Sequence, residues 1–398
     1  DLFSEEQMKI LWDCFPKEKL LLSIRSPSVC LEWFPELKNI DLDQNFINSY
    51  TLPPTLEFKV LSSHGAEAPT ALPGFHLKWA PIAESIHHAS ALWDWQSRDP
   101  KNRSLLLRSS NDSASFAFFR LMLKNKQKLN FVKERCFKFE EACKLGNHDQ
   151  PTALQWLRWD ASFESFAAIL GNPVLHSWSP GFHFDFFNRR SMNFAAFSLS
   201  KDCFKEELEF LIQIGLKAAA VTSPFKTDLF ELGTKSSAIA AQFQSANTLL
   251  IHSNGAREVW NTDFCGLDFQ LRGFEHLSCA IVGGGGTKAA LQKLLPQATH
   301  YSARTFEKTS GVERGPYDLV IWAAGGKIEE LKDTYLPSSC QHCRYFIDLD
   351  YRDNSSGRAV ASFLKQMPEN ASLKYIPGHK MFFKQAKAQQ EIWKQWLH

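Results

Sequence analysis

Ala280-Ile281-Val282 is a short apolar run that empties into four consecutive glycines, Gly283 to Gly286, followed by Thr287. This junction sets a frame for the fold, although such a pattern alone is a weak signal. A buried strand running into a glycine turn and then a helix is the phosphate-facing corner of a βαβ unit. Backbone without side chains can approach a pyrophosphate closely, and the helix beyond offers unpaired N–H groups to the anion. From residue 165 onward, strand-like and helix-like stretches alternate. Ala167–Leu170, Phe194–Ser198, Ala218–Thr222 and Asn247–Ile251 read as strands. Residues 203–214 carry helical apolar spacing (Phe204, Leu208, Leu211, Ile212), and Gly215 stands where a helix stops. A second series follows at Ala280–Val282, Thr299–Ser302, Asp318–Ala323 and Tyr345–Leu349. Such alternation implies a parallel-rich α/β sheet. The stretch 268–278 reads as a join between two lobes.

The 398 residues suggest about two to three domains. A hydrophobic content of 44% supplies packed cores, and the 33 phenylalanines and 12 tryptophans are dispersed as core residues would be. The net charge of +2 leaves no nucleic-acid footprint. No apolar run approaches the ~20 residues of a membrane span. Nine cysteines cannot all pair internally, and reduced thiols fit a cytosolic setting; a processed plastid enzyme would read the same way. Cys340 and Cys343 form one C-x-x-C without a second pair, so no metal is expected. The chain opens at Asp1 rather than Met, so a fragment or a processed product is expected. The oligomeric state is not written in the sequence.

Polar punctuation precedes the glycine turn in a fixed order. Residues 171–180 read Gly-Asn-Pro-Val-Leu-His-Ser-Trp-Ser-Pro. Placed on the end of a strand, Ser177 and Ser179 would aim two hydroxyls at one spot, where they could hold a carboxylate. Val221-Thr222-Ser223-Pro224-Phe225-Lys226 sets a lysine just past a Pro-bent strand end, Ala246-Asn247-Thr248 opens the next apolar run, and Trp260-Asn261-Thr262-Asp263 follows it. Lys226 alone could equally be an exposed first-turn lysine, and Asp263 alone a helix N-cap. Arg304, twenty-one positions after Gly283, has no acidic neighbour before Glu307. An acidic residue near there would bond ribose hydroxyls, whereas an arginine matches a 2′-phosphate by charge and fork geometry. NADP is therefore expected over NAD.

This ordered set resembles the shikimate dehydrogenase family over roughly residues 165–398. The resemblance implies reversible, NADPH-dependent reduction of 3-dehydroshikimate to shikimate in aromatic amino-acid biosynthesis. It implies that Lys226 and Asp263 are catalytic. Ser177 and Ser179 would bind the substrate carboxylate, and Asn247, Thr262 and Asp263 the ring hydroxyls. Thr222, Tyr351 and Gln385 would be further substrate contacts. Gly283, Gly285, Gly286, Arg304 and Thr305 would bind NADP. The sequence departs from the family at Ala220, at Phe184 after His183, at Trp322-Ala323-Ala324, and in lacking a Pro after Tyr351. The third position of the usual dinucleotide fingerprint is Lys288 rather than Gly or Ala. Action on quinate, or a silent binding protein on the same fold, stay open as alternatives.

In the N-terminal third, strand-like runs end in charge: Ile24-Arg25, Leu42-Asp43, Ser63-His64, and Lys78 within Phe75–Ala80. Charged residues at successive strand ends suit the active end of a (β/α) barrel. The set resembles type I 3-dehydroquinate dehydratase, a family that precedes shikimate dehydrogenase in bifunctional proteins. By that resemblance Lys78 would form a Schiff base, His64 would move protons, and Arg25 and Arg120 would bind the substrate carboxylate. A desolvated lysine suits this, because loss of its proton makes it nucleophilic. His64 and Lys78 are only fourteen residues apart, too few for a loop, a helix and a new strand. The expected architecture is α/β. It has a truncated TIM-type barrel at 1–156 and a substrate-binding lobe at 157–268 joined by the helix of 377–398. A Rossmann NADP-binding lobe follows at 269–376. Small-molecule substrates are the expected partners.

Overall fold

The structure is a computed structural model that describes residues 10, 12–109, 115–133, 149–174, 177–312, 315–324, 338–340, 342–349 and 373–397. The chain divides into two compact units, Asp1–Phe163 and Glu164–His398.

Unit 1 is built on five short strands: β1 Leu22–Ile24, β2 Asn39–Asp43, β3 Phe58–Ser63, β4 His76–Trp79 and β5 Arg103–Leu105. They lie side by side in chain order and every neighbouring pair is parallel. Chain-order parallel pairing is the local arrangement of a barrel segment. Among the described residues, however, the five strands form an open sheet, so the expected barrel is not shown. Connections are unequal. Between β3 and β4 the described chain has no helix, as the short spacing from His64 to Lys78 requires. Helix α1, Ile86–Ser97, links β4 towards β5, capped by the Ser85 side chain accepting from His88 N–H. Beyond β5 come α2, Ser115–Met122, and α3, Ala153–Arg158. A Thr152–Gln155 capping box opens α3. Leu22, Ile24, Ile40, Leu42, Phe34 and Trp12 share one buried cluster.

Unit 2 contains two six-stranded sheets. The first comprises β6 Ser165–Gly171, β7 Met192–Ser198, β8 Leu216–Val221, β9 Lys235–Ser236, β10 Thr248–Ile251 and β11 Arg257–Trp260, in the order β9-β11-β10-β8-β6-β7. Strands β7, β6 and β8 are mutually parallel, while β10 runs antiparallel to both β8 and β11. Its helices are α4 Ser179–Asn188, α5 Phe204–Gln213, α6 Lys226–Leu232 and α7 Ala238–Phe243. Gly215 joins α5 to β8 at φ +113°, where a Cβ would stand 2.6 Å from the Glu164 carbonyl oxygen. That contact and that φ exclude a side chain.

Helix α8, Asp263–Leu271, leads to the second sheet. This sheet comprises β12 Cys279–Gly283, β13 Thr299–Tyr301, β14 Lys308–Ser310, β15 Leu319–Ala323, β16 Tyr345–Asp348 and β17 Lys374–Pro377, with α9, Lys288–Leu294, after the glycine turn. The order is β14-β13-β12-β15-β16-β17, and only β14 is antiparallel to its neighbour. Alternate residues serve opposite faces. Ala280, Val282, Val320, Trp322 and Phe346 pack on one side, and Cys279, Ile281, Leu319, Ile321 and Ile347 on the other. Burial of both faces is the condition for a mostly parallel sheet, so unit 2 is α/β with Rossmann-like parallel sheets, as the alternation predicts. Cys340 and Cys343 are buried in this core, and burial pushes Cys343 up to about 11.

The chain closes on α10, His379–Lys394, which packs against α4 and α8. At Gly266 of α8 a Cβ would lie 2.9 Å from the Met381 carbonyl oxygen, so glycine permits the close helix approach. Among the described residues no helix is long and apolar enough to cross a membrane.

Candidate active site

Strand registers alone gather the punctuation residues. Leu170 pairs with Val221, Ala220 with Thr248, and Thr248 with Trp260. The ends of β6, β8 and β11 and the start of β10 therefore share one edge of the first sheet. That edge carries the 177–179 stretch, Thr222, Lys226, Asn247, Thr262 and Asp263.

At its centre, Lys226 Nζ donates to Asp263 Oδ2 at 2.6 Å; the two side chains are only 16% and 10% exposed. Lys226 is the first residue of α6 and Asp263 the first of α8. The carboxylate thus sits in a helix first turn, where the macrodipole favours negative charge. Asn247 Nδ2 donates to Asp263 Oδ1 at 2.9 Å. Asn247 Oδ1 accepts from Thr262 N–H at 2.8 Å, Thr248 Oγ1 at 3.0 Å and Thr262 Oγ1 at 3.1 Å. The backbone donor settles which way the Asn247 amide faces. A partly desolvated lysine–carboxylate pair held this way can pass a proton to and from a small molecule.

Ser177 and Ser179 correct the sequence reading. Strand β6 ends at Gly171, so the two serines do not share a strand face. Ser177 is in the following loop and Ser179 opens α4, with Pro180 in its first turn. The Ser177 hydroxyl accepts from Ser179 N–H at 3.2 Å. Trp178 between them packs on His379, Phe382 and Phe383 of α10. Thr222 comes within reach because residue 171 is glycine: a Cβ there would sit 2.3 Å from Thr222 Cγ2. Gln385 is half-buried on α10, its Cβ 3.3 Å from where a Gly266 Cβ would stand. Tyr351 lies outside the described residues.

The second sheet presents its own edge. The ends of β12, β13 and β15 coincide, since Val282 pairs with Tyr301 and Gly283 with Ala323. Gly283, Gly284 and Gly285 have φ of +88°, +126° and +40°, and a Cβ on Gly283 would lie 3.1 Å from Ala324 Cβ and N. Gly285 and Gly286 form the turn that runs into α9. Arg304 and Thr305 sit exposed in the turn after β13, their N–H groups donating to Ser302 Oγ.

One functional layer escapes the residue-by-residue reading. On α10 the buried positions are Phe382, Ala386, Gln389 and Trp393. A glutamine in an apolar stripe at helical spacing is the signal that could have found it. Gln389 Nε2 donates to the Asn247 carbonyl at 3.1 Å and to Thr248 Oγ1 at 3.2 Å. Its Oε1 lies 3.3 Å from Nε2 of fully buried His183. Burial pushes His183 down to about 3, against the Gln389 bond that pulls it up. The unfolded chain takes up that proton below about 6.5 while the folded chain resists until about 3. Stability is therefore lost as pH falls through this window, by roughly 1 kcal/mol per pH unit. Denaturation curves of the wild type and His183→Gln from pH 7 to 4 should diverge by that slope, and parallel curves would contradict the burial of a neutral imidazole.

Unit 1 holds a separate cluster. Lys78 is 3% exposed and ion-paired with fully buried Asp41, which Arg25 also engages at 2.6 Å. Burial pushes Asp41 up, but Lys78 and Arg25 hold it below the usual carboxylate range. Burial pushes Lys78 down, and Asp41 only partly restores it. His64 Nδ1 lies 3.2 Å from Asp43 Oδ2. Burial, then Arg25 and Lys78, hold this imidazole below its ordinary value, so the three groups share one neighbourhood. Arg120 does not join them as a carboxylate ligand: it is buried and donates to the carbonyls of Leu107 and Leu106.

Comparison with known proteins covers part of this site. The family model for the shikimate dehydrogenase substrate binding domain matches residues 169–249. The NADP-dependent shikimate dehydrogenase of Prochlorococcus marinus is 30% identical over 142 residues, 34% of this chain and 49% of that protein. The match thus spans about half the length of that relative. The corresponding Idiomarina loihiensis protein is 26% identical over 258 residues, 56% of this chain and 90% of its own. A solved shikimate dehydrogenase of Aquifex aeolicus aligns with 60% of this chain and 95% of its own, at 21% identity and a TM-score of 0.46. These likenesses are to shikimate dehydrogenases; the expected fusion to a dehydroquinate dehydratase gains no support from them. The C-terminal unit therefore carries a domain similar to shikimate dehydrogenases, with residues 169–249 matching that family's substrate-binding part.

Proposed function

We propose that unit 2 is an NADP-dependent dehydrogenase that interconverts 3-dehydroshikimate and shikimate. The observation that carries this is the Lys226–Asp263 pair, with Asn247 and Thr262 gathered around it.

The glycine turn and the Arg304 turn fit the cofactor. Gly283 has no room for a side chain, and Arg304 offers an exposed guanidinium suited to a 2′-phosphate. Gly283, Gly285 and Gly286 would face the pyrophosphate, and Arg304 with Thr305 the 2′-phosphate. When bound, NADPH supplies the hydride that reduces the ring carbonyl carbon. As negative charge grows on the carbonyl oxygen, Lys226 gives it a proton from Nζ and so completes the alcohol. In the oxidising direction the neutral amine takes the hydroxyl proton back. Asp263 holds the lysine in place and, with Asn247 and Thr262, orients the ring hydroxyls. Ser177 and Ser179 hold the carboxylate. The cleft between the two lobes of unit 2 would exclude water on closing.

Arg304→Ala tests the cofactor assignment. It should weaken NADPH binding by about tenfold or more, the scale of a charge-assisted contact, and leave NADH binding unchanged. Equal losses for both nucleotides would overturn the 2′-phosphate role.

One observation favours a second reading, for unit 1. A lysine at 3% exposure, held below its ordinary value and sharing its surroundings with His64 and Arg25, would suit Schiff-base chemistry of the type I dehydratase kind on 3-dehydroquinate. Borohydride reduction in the presence of that ketone should attach it to Lys78; an unlabelled Lys78 would remove the reading.

A further inference from the structure

The polar contacts between α10 and Asp263 have a single direction. Gln390 Nε2 donates to His183 Nδ1 at 3.2 Å, which leaves the proton of this imidazole on Nε2. Nε2–H then donates to Gln389 Oε1 at 3.3 Å. The Gln389 amide in turn must present its NH2 to the Asn247 carbonyl and to Thr248 Oγ1. Thr248, having accepted there, donates to Asn247 Oδ1 at 3.0 Å. With Oδ1 occupied by donors, the Asn247 NH2 faces Asp263 Oδ1 at 2.9 Å, and Oδ2 is left to Lys226. Each amide in the chain works in one orientation only, because a reversed amide would set donor against donor or acceptor against acceptor; the Thr248 hydroxyl, which also lies 3.4 Å from Thr262 Oγ1, is the link that can turn. His183, Gln389, Thr248 and Asn247 are all buried, so no water can replace a lost partner cheaply.

We propose that His183 and Gln389 are positioning residues: from α4 and the closing helix they anchor Asn247 through its backbone carbonyl and through Thr248, while Thr262 N–H orients its amide, and Asn247 so anchored holds the Asp263 carboxylate square to Lys226. The proposal rests on reading Lys226 and Asp263 as the proton-handling pair. Neither His183 nor Gln389 bonds to Lys226 or Asp263, so both act through Asn247.

The test uses the full chain labelled with 15N-asparagine, the Asn247 side-chain NH2 signal being assigned by its loss in Asn247→Asp. In the wild type the two amide protons should be well separated and slow to exchange. Gln389→Met keeps the volume and removes both donors, and it should raise their exchange by about tenfold or more, the scale of one net hydrogen bond. His183→Phe should do the same. His183→Gln, which can still donate to Gln389, should restore protection. Turnover should follow, with kcat down and the KM for NADPH unchanged in the two disrupting variants. Unchanged exchange in variants that keep the wild-type far-UV spectrum, or fast exchange already in the wild type, would overturn the proposal. If Gln389→Met does not fold, the His183→Phe and His183→Gln pair decides alone. A wild type that binds NADPH but turns over no 3-dehydroshikimate would remove the functional reading while the exchange measurement still decides the positioning role.

Discussion

Lys226→Met lowers the turnover of 3-dehydroshikimate by about 10²–10⁴-fold, the usual worth of a positioned general acid. Methionine matches the length of the stem and its packing but has no proton to give. The alkoxide that forms as the carbonyl is reduced then has no donor at 2.6 Å from Asp263, where the ammonium stands. Cofactor affinity should hold, since the glycine turn and Arg304 belong to the other sheet. Asp263→Asn should cost less than Lys226→Met, because it keeps a hydrogen-bonding group opposite Asn247 while removing the charge that holds the lysine. Pre-steady-state mixing with NADPH separates the two effects: binding intact, chemistry slow. A Lys226→Met protein that turns over at the wild-type rate would exclude lysine as the proton donor.

The second large effect is on stability. Asp41→Ala leaves the Lys78 ammonium at 3% exposure without its buried counter-ion. Removing one member of a buried pair costs about 3–5 kcal/mol, because the remaining charge is desolvated and uncompensated. Arg25 makes matters worse, since it faces the same oxygen of Asp41 and would then face Lys78 as a like charge. Lys78→Met on its own removes the charge that Asp41 balances, and Arg25 can still serve Asp41. The double variant Asp41→Ala/Lys78→Met should therefore recover much of the loss, a coupling that a double-mutant cycle measures. Asp41 is held below its ordinary value, so its stabilising share is full above the unfolded carboxylate range and fades as pH falls through the folded value. Urea unfolding of the full chain at neutral pH reads the cycle. A single Asp41→Ala variant within 1 kcal/mol of wild type would mean that Lys78 reaches water in solution.

Much of unit 2 was legible because its signals are local. Ala280 to Gly286 announces a strand and a turn by composition alone, and α5 announces itself by spacing and by Gly215. The pairing of Lys226 with Asp263 was readable only as an ordered set, since two helix starts thirty-seven residues apart meet through strand register. Ser177 and Ser179 were assigned to one neighbourhood by the wrong geometry. Pro180 after Ser179 marks a helix start rather than a strand end. Gln389 was missed because its role depends on partners more than 140 residues away. In unit 1 the Lys78–Asp41 contact could not be read either. It crosses β3, which lies between β2 and β4, and no pattern within one strand encodes a partner two strands away.

The most direct measurement is NADPH oxidation by the purified chain on addition of 3-dehydroshikimate, with the Lys226→Met variant run alongside. Oxidation by the wild type, with a rate at least a hundredfold lower in a variant that still binds NADPH, is the expected result. A wild type that binds NADPH and leaves it unoxidised would contradict the assignment of Lys226 and Asp263 to proton transfer.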